Sequence, residues 1–346
     1  MLIDDSVRMD ELVRPTSLGP LLVEATGHKA WIDFKSELIV GGKSNLTFQL
    51  TSTAGQLILR RPPSGELLPS AHDMVREVNV QRALARTDVP VPTVVLLVTD
   101  SDVLGVPFYV MEKVEGHVIR TVLPTGFAMT TADKESLTRM IAETLSSLHR
   151  INPTDIGLAG FGRPNGFVSR QVQRWSKQWD LSKSVEIAAL DELASRLTKI
   201  VPVAQSISVI HGDFRIDNCI FSTSEPTKIS AILDWELSSI GDPLIDLGLA
   251  RLYWRGPHDR ELGLVPCVTT EPGFPNRDEF TEHYARSTGF SLEELAFYDA
   301  FACFKFAVIT QGVFVRALHG DMAGQDFGKL TGEVAALADE GLAYLE

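Results

Sequence analysis

The densest cluster of residues able to do chemistry is His211-Gly212-Asp213-Phe214-Arg215-Ile216-Asp217-Asn218, which leaves the apolar run Ile207-Ser-Val-Ile210. A carboxylate followed five positions later by a carboxamide suits phosphoryl transfer. The carboxylate takes the proton of an attacking hydroxyl, and the amide on the same loop ligates the metal carried by the phosphates. Asp213 is the candidate base and Asn218 the candidate metal ligand. A turn holding a packed histidine would use the same residues, so a second feature is needed. It comes sixteen positions after Asn218, where Ala231-Ile-Leu-Asp234-Trp-Glu236 puts another acid at the mouth of an apolar strand. One carboxylate and one amide oxygen, completed by phosphates and water, are what Mg²⁺ takes at a nucleotide site. Next, Gly241-Asp242-Pro243-Leu-Ile-Asp246 predicts a turn entering a helix, with Asp246 as a cap.

These groups need a scaffold, and its elements are legible from periodicity. Lys35 to Thr53 predicts two strands about the small-residue turn Gly41-Gly42-Lys43-Ser44-Asn45, and Gln56 to Arg61 a third ending at Pro62-Pro63. Ser70 to Arg86 has helical spacing through Met74, Val78, Val80 and Leu84, and two more strands follow at Thr93–Thr99 and Pro107–Val114, separated by an acidic turn at Asp100–Asp102. Five strands with one helix make a small α+β lobe, residues 1–114. Residues 115–346 are mainly helical. Lys134 to Arg150 carries the stripe Leu137, Met140, Ile141, Leu145 and Leu148, with helices also predicted at Ser169–Trp179, at Glu192–Ile200 and from Asp278 onward.

The whole string, from His211 through Asp234-Trp-Glu236 to Gly241-Asp242-Pro243 and Asp246-Leu247, resembles the aminoglycoside phosphotransferase and choline kinase superfamily. The resemblance implies a bilobal, protein-kinase-like fold, ATP and Mg²⁺ as cofactors, and a small-molecule hydroxyl as acceptor. It also implies that Asp246 supports the loop of His211 and Asp213 without reacting. The turn Gly41, Gly42, Ser44 and Asn45 looks like the loop covering the nucleotide phosphates. Without the Gly-x-Gly-x-x-Gly of protein kinases, Ser44 and Asn45 would add side-chain donors. Met111, Glu112, Lys113 and Val114 look like the hinge whose backbone reads the adenine edge. The strand that usually supplies a phosphate-binding lysine offers Arg60, with Glu77 its natural partner. Alternation puts Ile58 and Arg60 on one strand face and Arg61 on the other, which selects Arg60.

Leu59-Arg-Arg-Pro-Pro63, Leu67-Leu-Pro-Ser-Ala-His72, Phe161-Gly-Arg-Pro164 and Gln311-Gly-Val-Phe-Val-Arg316 are similar to one branch of that superfamily. It comprises kinase-like domains fused to acyl-CoA dehydrogenases and their free-standing bacterial relatives. The fused members imply an acceptor hydroxyl on a 4-hydroxyacyl chain or its CoA ester. Arg170, Gln171, Arg174, Trp175 and Gln178 fall at spacings that present donors and an aromatic on one helix, and Glu236, Trp254, Gln311 and Arg316 are further acceptor candidates. The same spacings fit a solvated face with the tryptophan packed beneath. Candidates that are mainly basic or neutral argue against a polycationic acceptor such as an aminoglycoside. An aminoglycoside- or choline-type kinase remains the alternative within the class, and a nucleotide-binding pseudokinase the alternative outside it. The choice between ATP and GTP stays open, as does the oligomeric state.

Composition sets the outer bounds. The chain has 346 residues and a net charge of −13, which disfavours nucleic acid as a partner. Cys219, Cys267 and Cys303 lack metal-ligand spacing and predict free thiols. The acidic opening Met1-Leu-Ile-Asp-Asp and short apolar runs such as Val94 to Val98 predict a cytoplasmic protein without a membrane anchor. The histidines outside the loop, including His28, His72, His117 and His149, form no hydrolase triad.

Overall fold

The first sheet is built on strand alternation. In the computed structural model, which describes residues 11–39, 45–63, 73–225, 227–318 and 332–346, five antiparallel strands pair in the order β1-β2-β3-β5-β4. They are β1 (Lys35–Leu38), β2 (Leu46–Ser52), β3 (Gly55–Arg61), β4 (Val94–Val98) and β5 (Phe108–Glu112). One sheet face carries Phe48, Leu50, Leu57, Leu59, Phe108 and Val110 into a core with Leu18, Leu22 and Trp31. The opposite face carries Ile58, Tyr109 and Met111 against Met74 and Val78 of a helix at Met74–Leu84. Full burial of each large apolar side chain contributes about 1.5–3 kcal/mol, so the two faces fix the register that decides where Arg60 points.

The chain divides into two compact units, Met1–Glu115 with Ser230–Glu236, and Gly116–Ile229 with Leu237–Glu346. The sequence predicts one helix in the first unit; among the described residues the structure adds two. Helix α1 (Pro15–Thr26) starts with Pro15 at a position where no backbone N–H is needed, and it keeps Pro20 inside. Helix α2 is Met74–Leu84, capped by the Asp73 side chain on the Arg76 N–H. The acidic turn at Asp100 is the cap of a one-turn helix, α3 (Ser101–Leu104). The segment Ser230–Glu236 joins this unit through the Ile232 N–H, which donates to the Pro90 carbonyl at 2.8 Å.

The second unit is mainly helical. Helix α4 (Thr131–His149) opens with a Thr130–Asp133 capping box and buries the predicted stripe from Leu137 to Leu148. Helices α5 (Phe167–Ser182) and α6 (Ala188–Lys199) follow. After a two-residue strand β6 (His117–Val118), strands β7 (Ser208–Ile210), β8 (Cys219–Phe221) and β10 (Ser239–Gly241) surround the chemical motifs, with β7 paired antiparallel to β10 and β6 to β8, while β9 (Ile229–Ile232) leads into the segment that belongs to the first unit. Helices α7 (Leu244–Tyr253), α8 (Arg277–Thr288), α9 (Leu295–Leu318) and α10 (Glu333–Ala343) complete it.

Helix α9 is long and apolar enough to cross a membrane, although no uninterrupted apolar run announces it. Its most apolar stretch is 72% buried within the protein, and Asp299 and Lys305 lie buried on it. Asp299 pairs with Arg251 of α7 at 2.9 Å.

Candidate active site

In the first unit, Arg60 lies at the centre of a carboxylate cluster. Its Nε is 3.0 Å from Glu77 Oε2, and its Nη2 pairs with Asp234 and lies 3.6 Å from Glu236 Oε2. Although burial disfavours the Arg60 charge, Glu77, Asp234 and Glu236 raise its pKa above that of an ordinary arginine, so it is a permanent cation. Burial lifts the Glu77 carboxyl above its usual range, against the pull of Arg60. Tyr109 Oη donates to Glu77 Oε2 at 3.0 Å, and Gln81 Nε2 donates to Tyr109 Oη at 3.2 Å. Arg61 leaves by the opposite strand face, where Nη1 donates to the Leu12 carbonyl at 2.5 Å.

Asp234 has a left-handed backbone, φ 66°. For a non-glycine residue this costs about 1–2 kcal/mol, and the Arg60 pair holds it there. With Oδ1 on Arg60, Oδ2 remains for another ligand. Asn45 differs from expectation. Its Nδ2 donates to Glu77 Oε1 at 3.1 Å and to Glu236 Oε2 at 3.0 Å. Two carboxylates therefore claim the amide that was expected to face phosphate, and Glu236 is drawn into the same cluster. Gly41, Gly42, Lys43 and Ser44 lie outside the described residues, as do 67–72. Among the hinge candidates, Met111 packs in the core beside Ile58 and Met74. Lys113 pairs with Glu115 and donates to Gln56 Oε1 at 2.9 Å. Glu112 is exposed and Val114 half-buried.

In the second unit, the loop of Asp213 hangs on Asp246. The fully buried Asp246 carboxylate accepts the N–H groups of His211 at 2.6 Å and Gly212 at 2.8 Å, with His149 Nε2 at 3.3 Å. Burial pushes this carboxyl up, but His149, His211 and the backbone donors outweigh it and hold it below the usual carboxylate range. The helix-capping role expected of Asp246 falls to Asp242, whose Oδ1 accepts the Leu244 N–H at 3.0 Å. Gly212 has φ +89°, and a Cβ there would sit 2.6 Å from the Leu237 carbonyl oxygen, so only glycine makes this turn.

Three donors converge on Asp213. Tyr253 Oη donates to Oδ1 at 2.9 Å, Arg215 Nε to Oδ2 at 3.0 Å, and Asn218 Nδ2 to Oδ2 at 3.2 Å and to the Asp213 carbonyl at 2.8 Å. The Asn218 amide nitrogen is thereby committed, which leaves Oδ1 as its acceptor. Carboxylate and amide oxygens are hard ligands, so Asp234 in the first unit and Asn218 in the second each carry an oxygen of the type Mg²⁺ takes. Burial works against the Arg215 charge, but Asp213 and Asp217 raise its pKa, so the cation persists. A small pocket lies alongside, lined in part by Phe214, Arg215, Tyr253, Trp254 and Cys267.

The acceptor candidates separate by environment. The Trp254 N–H donates to the Pro275 carbonyl and its ring stacks on Phe280. Gln311 Nε2 reaches the Ser182 carbonyl and Ser184 Oγ, and Arg170 binds the carbonyls of Arg163 and Asn165. Those three are held by structural contacts. Arg174, Gln178 and Arg316 are exposed, and Gln171 and Trp175 half-buried. Tyr253 and Lys305 carry no local signal, being 40 and 92 positions beyond Asp213. Arg215 stood inside the motif, where its position next to the base was the available signal.

Comparison with known proteins agrees with this architecture. Acyl-CoA dehydrogenase family member 10 of Mus musculus is 36% identical over 303 residues, covering 86% of this chain and 28% of the relative. Member 11 of Homo sapiens is 36% identical over 304 residues, covering 87% and 39% respectively. The chain thus spans well under half the length of either relative. A Ralstonia eutropha protein designated an aminoglycoside phosphotransferase superposes with a TM-score of 0.79 at 30% identity, covering 95% of this chain and 97% of its own. At the level of fold alone, the ternary complex of aminoglycoside phosphotransferase APH(4)-Ia with AMP-PNP and hygromycin B gives 0.60 at 15% identity, over 94% and 99% of the chains. With residues 35–298 matching the sequence profile of the phosphotransferase enzyme family, the chain belongs to that family.

Proposed function

We propose that this protein is an ATP- and Mg²⁺-dependent small-molecule kinase that transfers the γ-phosphoryl group to a hydroxyl of a hydroxyacid or its CoA ester. The observation that carries the reading is the convergence of Tyr253, Arg215 and Asn218 on the Asp213 carboxylate, on a His-x-Asp-x-x-x-x-Asn loop. Asp213 accepts the hydroxyl proton as that oxygen bonds to the γ-phosphorus. The bond to the bridging oxygen breaks, and ADP leaves with the electron pair. Tyr253 and Arg215 hold the carboxylate to one orientation, and Arg60, anchored by Glu77, offsets phosphate charge. Asn218 Oδ1 and the free oxygen of Asp234 would hold Mg²⁺, which when bound neutralises charge on the phosphates. Nucleotide use is supported by the AMP-PNP complex of a fold relative. The acyl acceptor is supported by relatives named as acyl-CoA dehydrogenases.

Calorimetric titration of MgATP into the wild type and Asp234→Asn tests this without knowledge of the acceptor. The expected result is binding that the substitution weakens at least about 30-fold, given loss of a charged metal ligand. No binding of MgATP or MgGTP to the wild type would refute the kinase reading and leave a non-catalytic relative.

A further inference from the structure

Lys305 is a cation with little to hold in the interior of the second unit. It is 7% exposed on α9, and its Nζ donates to the Gly212 carbonyl at 3.0 Å. Among the described residues no carboxylate lies within ion-pair distance of it, nor of Arg174 on α5. Both cations address one aromatic ring: Lys305 Nζ lies 5.7 Å from the centroid of Trp175, and Arg174 Cζ also 5.7 Å. The Trp175 Nε1–H is buried and has no hydrogen-bond partner. A buried indole N–H without a partner is costly, and two cations sharing a ring repel each other. An anionic oxygen group would satisfy the N–H and both cations at once. Burial, aided by the Arg174 charge, lowers the Lys305 pKa, while Asp213 and Asp246 oppose that shift. Those partners also place the ammonium beside the loop of the candidate base.

We propose that Lys305, Arg174 and the Trp175 N–H form an anion subsite that binds the negatively charged group of the acceptor. The inference rests on the kinase reading only in calling the ligand an acceptor. Two sources present the required oxyanion: the carboxylate of a free hydroxyacid, and the phosphates of a CoA ester. The subsite explains an acidic protein that selects an anion, because the local charge is positive where the global charge is not. It also gives Lys305 a role at a position no local motif predicts.

The test is binding of probes that lack the reacting group, by ligand-observed NMR and calorimetry. The probes are 4-oxopentanoate against 4-oxopentanamide, and coenzyme A against pantetheine. One charged member should bind at least about tenfold tighter than its neutral partner, and which pair discriminates names the source. That preference should fall to less than about threefold in Trp175→Phe, which keeps the ring, and in Arg174→Gln, which leaves the catalytic loop untouched. Lys305→Met should abolish it, and the two α5 variants carry the test where that substitution disturbs folding. A merely structural Lys305 would leave the charge preference unmoved. Equal binding within both pairs, or a preference that survives all three substitutions, overturns the subsite. Charge-selective binding without phosphoryl transfer would keep the subsite and remove the kinase, whereas transfer without charge preference would do the reverse.

Discussion

Glu77→Gln is the substitution that most directly tests how the Arg60 cluster is held. The side chain is 1% exposed, with Oε1 accepting from Asn45 and Oε2 facing Arg60 and Tyr109. Glutamine has the same shape, but its new NH₂ must point at one of those donor groups. Removing one partner of a buried ion pair costs about 3–5 kcal/mol, because the other charge stays buried. Arg60 keeps Asp234 and is 13% exposed at its side chain, so the lower end applies, about 3 kcal/mol. At roughly 2–4 °C per kcal/mol for a domain of this size, the melting temperature should fall by about 6–12 °C. Arg60, with no carboxylate fixing its Nε edge, is drawn further onto Asp234 and competes with the metal there. MgATP affinity should therefore weaken by about tenfold. Calorimetric melting and MgATP titration measure both effects, and a double-mutant cycle with Arg60→Met isolates the pair. A melting temperature within 2 °C of wild type, or a coupling energy below about 0.5 kcal/mol, would refute an anchoring role for Glu77.

Three further outcomes follow from the second unit. Tyr253→Phe deletes one oxygen 2.9 Å from Asp213 Oδ1. It should lower kcat by about 10–100-fold, the worth of a hydrogen bond to a charge, with MgATP affinity retained; an unchanged kcat would remove Tyr253 from the site. Gly212→Ala meets the Leu237 carbonyl at 2.6 Å in a left-handed turn. It should cost about 2–4 kcal/mol of stability and most of the turnover, read by urea unfolding and steady-state rates. The Asp246 carboxyl is held below the usual carboxylate range, so its contribution is present above the unfolded-state value and is lost as pH falls through the folded one. The stability gap between wild type and Asp246→Asn should hold from pH 7 to about 4 and narrow below that; a gap constant down to about pH 2.5 in urea titrations would contradict the assignment.

What was legible in the sequence follows the range of the interactions involved. The sheet could be read because alternation is local: Leu57 and Leu59 against Ile58 already divide the two faces, and Arg60 follows Ile58 onto the face of Glu77. The loop of Asp213 could be read because its functional groups sit within eight residues. Helix α1 was hidden by Pro15 and Pro20, which punctuate most chains yet are tolerated here, the first because a helix's opening residues donate no intrahelical bond. Capping was misassigned between two aspartates four residues apart. Both can cap by type, and only the tertiary fold brings the His211 and Gly212 N–H groups to Asp246.

The groups around the loop of Asp213 show where local reading stops. Tyr253 is the last residue of α7 and Lys305 lies inside α9, each on an apolar helix whose composition speaks only of burial. A hydroxyl or ammonium in such a run reads as a flaw in the pattern. Burial without a partner is costly, however, so each must be matched in the fold. Tyr253 is matched by the Asp213 carboxylate, and Lys305 only in part, by one carbonyl. Polar residues interrupting a core helix therefore point to the site it packs against, and the incompletely matched one points to its ligand.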